Sequence, residues 1–161
     1  MTTVESSFDK VRRKLVTARI EFMGQLAKFS KAELLLQSTG EEWSPLQIAH
    51  HLYIADGLGL EQMKRVQEED NPLVGNLAEE APHLTLTSDA PASLDAVLAG
   101  MAARREELFE YLASLSPDDW ERPFLHPEWG ARKFYQLVNV LPIHDQQHTQ
   151  QLALLKAKLS L

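Results

Sequence analysis

Apolar residues recur at intervals of three and four along four separate stretches of the chain. In the first, from about residue 7 to residue 29, Phe8, Val11, Leu15, Phe22, Leu26 and Phe29 share one face, which predicts an amphipathic helix. The second opens on Trp43-Ser44-Pro45-Leu46-Gln47. Ser44 suits the N-cap, Pro45 the first helical position, where its missing N–H costs nothing, and Gln47 the reciprocal capping position. This helix is expected to continue to about residue 69, with Gly57 and Gly59 marking close packing or a bend. A third helix is expected from about 93 to 114, with Leu94, Val97, Leu98, Met101, Leu108, Leu112 and Leu115 inward. The fourth runs from about 133 to 159. Pro142 lies inside it and should kink it or break one backbone bond.

Two stretches lack this period. Residues 70–92 contain three prolines and form a long connection, of a length that is commonly functional. Residues 116–133, rich in proline and tryptophan, are expected to pack across one end of the helices. Four long amphipathic helices with no strand pattern predict an all-α four-helix bundle. The long second connection argues against a simple up-down-up-down arrangement.

The 161 residues fit one domain, 1–161, with room for a real core. A formal net charge of −7 without a basic stripe argues against nucleic acid or an anionic membrane surface as the main ligand. The N-terminus becomes charged within ten residues and reads as the start of the first helix, not as an export signal. The chain has no cysteine, so any metal site must use His, Asp or Glu, and any reacting thiol must arrive from outside. These features favour the cytoplasm.

The chemistry concentrates in the last helix. Leu137, Leu141, His144, His148, Gln151 or Leu152, Leu155 and Leu159 form one stripe, so two histidines stand where leucines belong. Residues four apart are neighbours on a helix face, and paired imidazoles at this spacing can converge on one cation. Buried histidines are also satisfied by carboxylates or carbonyls, but one shared cation would satisfy both at once. The residues between them are Asp145, Gln146 and Gln147, so the glutamate of a helical H-E-x-x-H protease motif is absent. The second helix offers His50 and His51 for a third ligand. Both lie near apolar faces, and periodicity prefers His51 only slightly. His83 and His126, in the irregular stretches, read first as surface loop residues, although His126 stands where it could line the mouth of a site. Trp43, Trp120 and Trp129 read as core or bundle-end anchors first and pocket walls second. Glu106, Glu107 and Glu110 read as a solvated face.

Trp43-Ser44-Pro45 leading to His51-Leu52, the late His144-x-x-x-His148-x-x-Gln151-Leu152, and His126-Pro127-Glu128-Trp129-Gly130 before it resemble the DinB/YfiT-like superfamily of bacterial metal-binding four-helix bundles. The resemblance spans essentially the whole chain. It implies an up-down-down-up bundle, often a homodimer, with a metal held by three histidines near one end. By that pattern the ligands are His51, His144 and His148, and His51 is preferred to His50. Relatives include transferases and isomerases that use mycothiol, bacillithiol or related low-molecular-weight thiols.

Three neutral imidazoles with an open fourth position are the arrangement of a catalytic metal, which lowers the pKa of a bound thiol or water. Zinc is the first expectation, with nickel or iron as further candidates. The leading functional expectation is a metal-dependent transferase that joins a small thiol to an electrophilic small-molecule substrate. Metal-dependent hydrolysis and a non-catalytic metal-binding bundle are the alternatives.

Overall fold

The computed structural model describes residues 5–37, 43–75, 77, 81 and 93–159. Its long helices are α1 (Ser7–Leu26), α2 (Pro45–Glu68) and α3 (Leu94–Ala113), followed by a divided last helix, α4 (Phe134–Val138) and α5 (Val140–Leu159). Each of the first three starts at a serine whose hydroxyl accepts from a first-turn N–H: Ser6 from Asp9, Ser44 from Gln47, Ser93 from Ala96. At α2 the expected capping box is complete, since the Gln47 side chain returns to the Ser44 N–H at 2.8 Å.

The last helix does not run unbroken from 133. It pauses at Asn139, between α4 and α5. Pro142 explains the place: it has no N–H for the Val138 carbonyl, and its ring crowds that carbonyl. The first helix likewise ends three residues early. Phe29 stays buried, in the turn beyond it.

Pairings across the helices define the topology. Tyr53 meets Gly100 and Gly57 meets Arg104, so α2 and α3 run parallel. Lys14 meets Asn139 and Arg19 meets Asp145, so α1 and α5 also run parallel. His51 meets His148 and Gly59 meets Leu141, so α2 and α5 are antiparallel. The result is an up-down-down-up four-helix bundle. The long connection before α3 is what lets α2 and α3 point the same way. A Cβ at Gly59 would sit 3.3 Å from Leu141, so the glycine lets α2 approach α5 closely. At Gly57 a Cβ would collide with the Arg104 guanidinium, which lies 3.8 Å over the Tyr53 ring.

The core is two apolar clusters. One holds Leu15, Leu60, Met63, Leu108 and Leu141; the other holds Phe22, Leu52, Met101 and Leu152. On each helix a charged residue stands between its contributions to the two: Arg19, Asp56, Arg105 and Asp145. These four form one charge-balanced ring, in which Asp56, Arg105 and Asp145 are buried and Arg19 is partly exposed. Arg19 bridges Asp56 and Asp145 at 3.0 and 3.1 Å, and Arg105 bridges the same two carboxylates at 3.0 and 2.9 Å. Burial pushes the Asp56 carboxyl up, but Arg105 and Arg19 outweigh it and hold it below the usual carboxylate range.

The stretch 116–133 corrects the expectation of a chain without strands. A short 3₁₀ turn, Pro117–Glu121, leads into a hairpin of β1 (Pro123–His126) and β2 (Gly130–Lys133), paired antiparallel with His126 opposite Gly130. Gly130 has φ 74°, a left-handed conformation that suits glycine and closes the turn. Trp120 is buried edge-on against Phe134, which anchors the hairpin to the bundle end. The hairpin also holds the start of the long connection: Val74 N–H donates to Leu125 O at 2.9 Å, and Leu125 N–H to Pro72 O at 2.8 Å. Among the described residues, no helix is long and apolar enough to cross a membrane.

Candidate metal centre

His51 projects from the second turn of α2 towards α5, where His144 and His148 occupy successive turns. The three rings converge. His144 Nε2 lies 3.0 Å from His51 Nε2 and 3.0 Å from His148 Nε2, and the three ligand atoms all fall within 4.8 Å of one another. Three nitrogens bound tetrahedrally to zinc at about 2.0–2.1 Å would stand about 3.3 Å apart, so the observed spacing needs only a small adjustment to take an ion.

The electrostatics keep the rings neutral, as metal ligation requires. Burial, reinforced by His144 and His148, pushes His51 down to about 3. Burial, with His148 beside it, pushes His144 down to about 4. Burial also lowers His148, against the opposing effect of its bond to Gln151. That contact is 2.7 Å between His148 Nδ1 and Gln151 Oε1. With the amide oxygen accepting, the ring proton sits on Nδ1 and the Nε2 lone pair faces the other histidines. Gln151 thus has a role that its place on the stripe alone did not reveal. The charged ring adjoins the cluster through the chain itself, because Asp145 follows His144.

The neighbouring histidines fall out differently. His50 is half-buried and lies 6.0 Å from the Tyr53 ring, outside the convergent group, in keeping with a packed histidine. Trp43 packs 4.7 Å from His51, as a wall of the site, while Trp120 is core. Glu106, Glu107 and Glu110 are exposed, as expected. His83 lies outside the described residues. His126 departs from the surface reading: it is only 5% exposed. Its Nδ1 accepts from the backbone N–H groups of Glu128 and Trp129, both at 3.1 Å, and its ring stacks on Trp129 at 3.8 Å and 9°.

Beside the histidine cluster is a cavity of about 190 Å³. His144 forms part of its wall, together with His126, Trp129, Leu137, Val140 and Ile143. Gly75 and Leu77 border it too, so both irregular stretches contribute to its rim. Gln62 Nε2 donates to Gly75 O at 3.0 Å and holds that part of the connection against α2.

Residues 14–152 match the sequence model of the DinB superfamily. The chain is 27% identical to the uncharacterized protein YuaE of Bacillus subtilis, over 88% of this chain and 94% of that one. Among solved structures, YfiT from Bacillus subtilis superposes with a TM-score of 0.78 at 15% identity, covering 99% of this chain and 92% of that chain; it is described as a probable metal-dependent hydrolase with an unusual four-helix bundle topology. The colibactin self-resistance protein ClbS, solved in complex with double-stranded DNA, gives 0.72 at 12% identity, over 96% and 98% of the two chains. A mycothiol-dependent maleylpyruvate isomerase gives 0.64 at 19% identity, over 94% of this chain and 63% of that chain. At these identities the likeness is one of fold.

Proposed function

The chain belongs to the DinB superfamily, and we propose that it is a metal-dependent enzyme in which His51, His144 and His148 hold one divalent ion, zinc first among the candidates, and a small external thiol attacks an electrophile. The observation that carries this reading is the convergence of three neutral imidazoles, one of which, His144, lines a cavity. A divalent ion there would supply Lewis acidity and lower the pKa of a thiol or water brought to it. The chain's own part is to orient the ligands, through Gln151 on His148 and through the charged ring behind His144, and to keep bulk water from the cluster with Trp43.

The chain has no cysteine, so any thiol that reacts there must come from outside. A thiol-dependent isomerase among the proteins of like fold supports that class of cosubstrate. Among the described residues that line the cavity there is no carboxylate to act as a general base. Hydrolysis is the second reading, favoured by the description of YfiT.

Cobalt substitution tests the choice. The cobalt form, titrated with bacillithiol, mycothiol, glutathione, coenzyme A and cysteine, should develop a near-ultraviolet charge-transfer band with at least one of them, followed by transfer to a model electrophile. Water exchange at the ion with no response to any thiol would replace this reading with hydrolysis. Exclusion of both would leave a non-catalytic metal-binding bundle.

A further inference from the structure

The cavity beside His144 has walls of a particular kind. Trp129, Leu137, Val140 and Ile143 make it largely apolar, and no Lys, Arg, Asp or Glu is among the described residues lining it. Its volume of about 190 Å³ slightly exceeds the roughly 150 Å³ of an engineered apolar cavity that holds benzene. It therefore suits one substituted ring or a branched chain of similar bulk. Apart from an ion at the histidine cluster, no described residue of the lining would pair with a charge on the ligand, and burying an unpaired charge is strongly unfavourable.

Gln62, Gln147, His144 and His126 bring polar side chains to this lining, and the chemistry of His126 is set by the turn that carries it. Both backbone N–H groups that reach Nδ1 are donors, so Nδ1 must be the acceptor and the ring proton must sit on Nε2. A second proton on Nδ1 would face those two N–H groups. The stack on Trp129 fixes the ring plane. No described residue accepts from Nε2. His126 is thus a neutral donor held in place before any ligand arrives, at the wall of the cavity that His144 also lines.

We propose that this cavity binds the electrophile, that the electrophile is a small neutral molecule with an apolar body and one carbonyl-type acceptor, and that His126 Nε2–H is the donor that orients the acceptor. The inference rests on the reading of the histidine cluster as the reaction centre, and it adds the substrate class and a positioning residue.

The test measures binding, so that it does not depend on turnover. Acetophenone and ethylbenzene, which differ by the carbonyl oxygen, are titrated into zinc-loaded wild type and into His148→Ala, which has lost an ion ligand, with affinities read by ligand-observed NMR. Acetophenone should bind about fivefold more tightly than ethylbenzene in both proteins, the range expected of one net hydrogen bond. His126→Phe should abolish that preference while ethylbenzene binding persists. His126→Asn serves as the second variant, because its side-chain oxygen can still accept from the Glu128 and Trp129 N–H groups while its amide is too short to reach the cavity; it should lose the preference too. Equal binding of the two probes to wild type, an unchanged preference in both His126 variants, or binding of neither probe would each overturn the proposal. A preference confined to the zinc-loaded wild type would also overturn it, by assigning the carbonyl to the ion. Loss of the metal reading alone would leave the His148→Ala result intact.

Discussion

His144 and Asp145 are adjacent in the chain and close two different halves of one buried polar layer. His144 Nε2 turns to His51 and His148, at 3.0 Å from each, while the Asp145 carboxylate turns to Arg19 and Arg105, at 3.1 and 2.9 Å. One turn of α5 therefore carries both the candidate metal centre and the ion ring that links all four helices. The ring has no net charge, and each arginine meets both carboxylates, so no charge is left alone in the core.

That balance predicts an asymmetric response to mutation. Asp145→Ala leaves Arg19 and Arg105 sharing the single Asp56 carboxylate, with one positive charge uncompensated, and should destabilise the protein by about 3–5 kcal/mol. Replacing all four members with apolar residues of similar volume should cost far less than the sum of the single changes. Chemical denaturation of the single variants and the quadruple variant measures both. A quadruple cost equal to the sum of the single costs would show that the four residues act independently, through packing alone.

Metal content is the direct check on the three-histidine assignment. Protein purified without an affinity tag should carry about one ion per chain. His51→Ala, His144→Ala and His148→Ala should each lose most of it, His50→Ala should not, and elemental analysis measures all four. A chelator should lower the melting temperature of wild type, since an ion bound only to the folded state stabilises it. Gln151→Leu should retain the ion more weakly, by about 10–100-fold, because it frees the ring that Gln151 orients.

How much of this could be read in advance follows from what each residue contributes. The helices and their caps were legible because period and cap chemistry are local: Ser44, Pro45 and Gln47 announce α2 without reference to anything distant. His144 and His148 were legible because they interrupt an apolar stripe. The choice of His51 over His50 was not, since both faces of α2 bury apolar residues; it needed a family resemblance and then the fold. The hairpin was missed because two four-residue strands rest on backbone pairing that leaves little side-chain pattern. The ion ring left a signal that pairwise reading overlooked. Arg19, Asp56, Arg105 and Asp145 each sit on the apolar stripe of a different helix, and two of each sign on four stripes is an arrangement that calls for mutual pairing.

Assembly is a further expectation. Ile20 on α1 and Ile143 and Leu154 on α5 are 65%, 54% and 67% exposed, large apolar side chains facing outward from the parallel pair α1–α5. Pairing of two copies through these helices would cover them. Light scattering should report a homodimer at micromolar concentration, and Ile20→Glu should shift it to monomer while leaving metal content unchanged. A monomeric wild type under those conditions would refute the pairing.

The pH dependence of stability gives the last prediction, and its sign follows from burial. In the metal-free protein, burial first and the neighbouring imidazoles second hold His51 at about 3 and His144 at about 4, and burial lowers His148 as well, while all three regain a value near 6.5 on unfolding. Below 6.5 the unfolded chain takes up protons that the folded chain refuses, so stability must fall as pH falls. The limiting slope is about 1.4 kcal/mol per pH unit for each such group. Between pH 6.5 and 5 the carboxylates stay largely ionised in both states, so the slope there belongs to histidine. His50 and His126, also lowered mainly by burial, add to it in the same direction. A His51→Ala/His144→Ala variant should therefore lose part of the slope but not all of it. With metal bound the fall should be steeper, because protons then compete with the ion for the same nitrogens. Denaturant titrations at half-unit pH steps, with and without chelator, measure each slope. An identical slope in wild type and the double variant would mean that His51 and His144 take up protons alike in the folded and unfolded chain, so that burial does not hold them neutral.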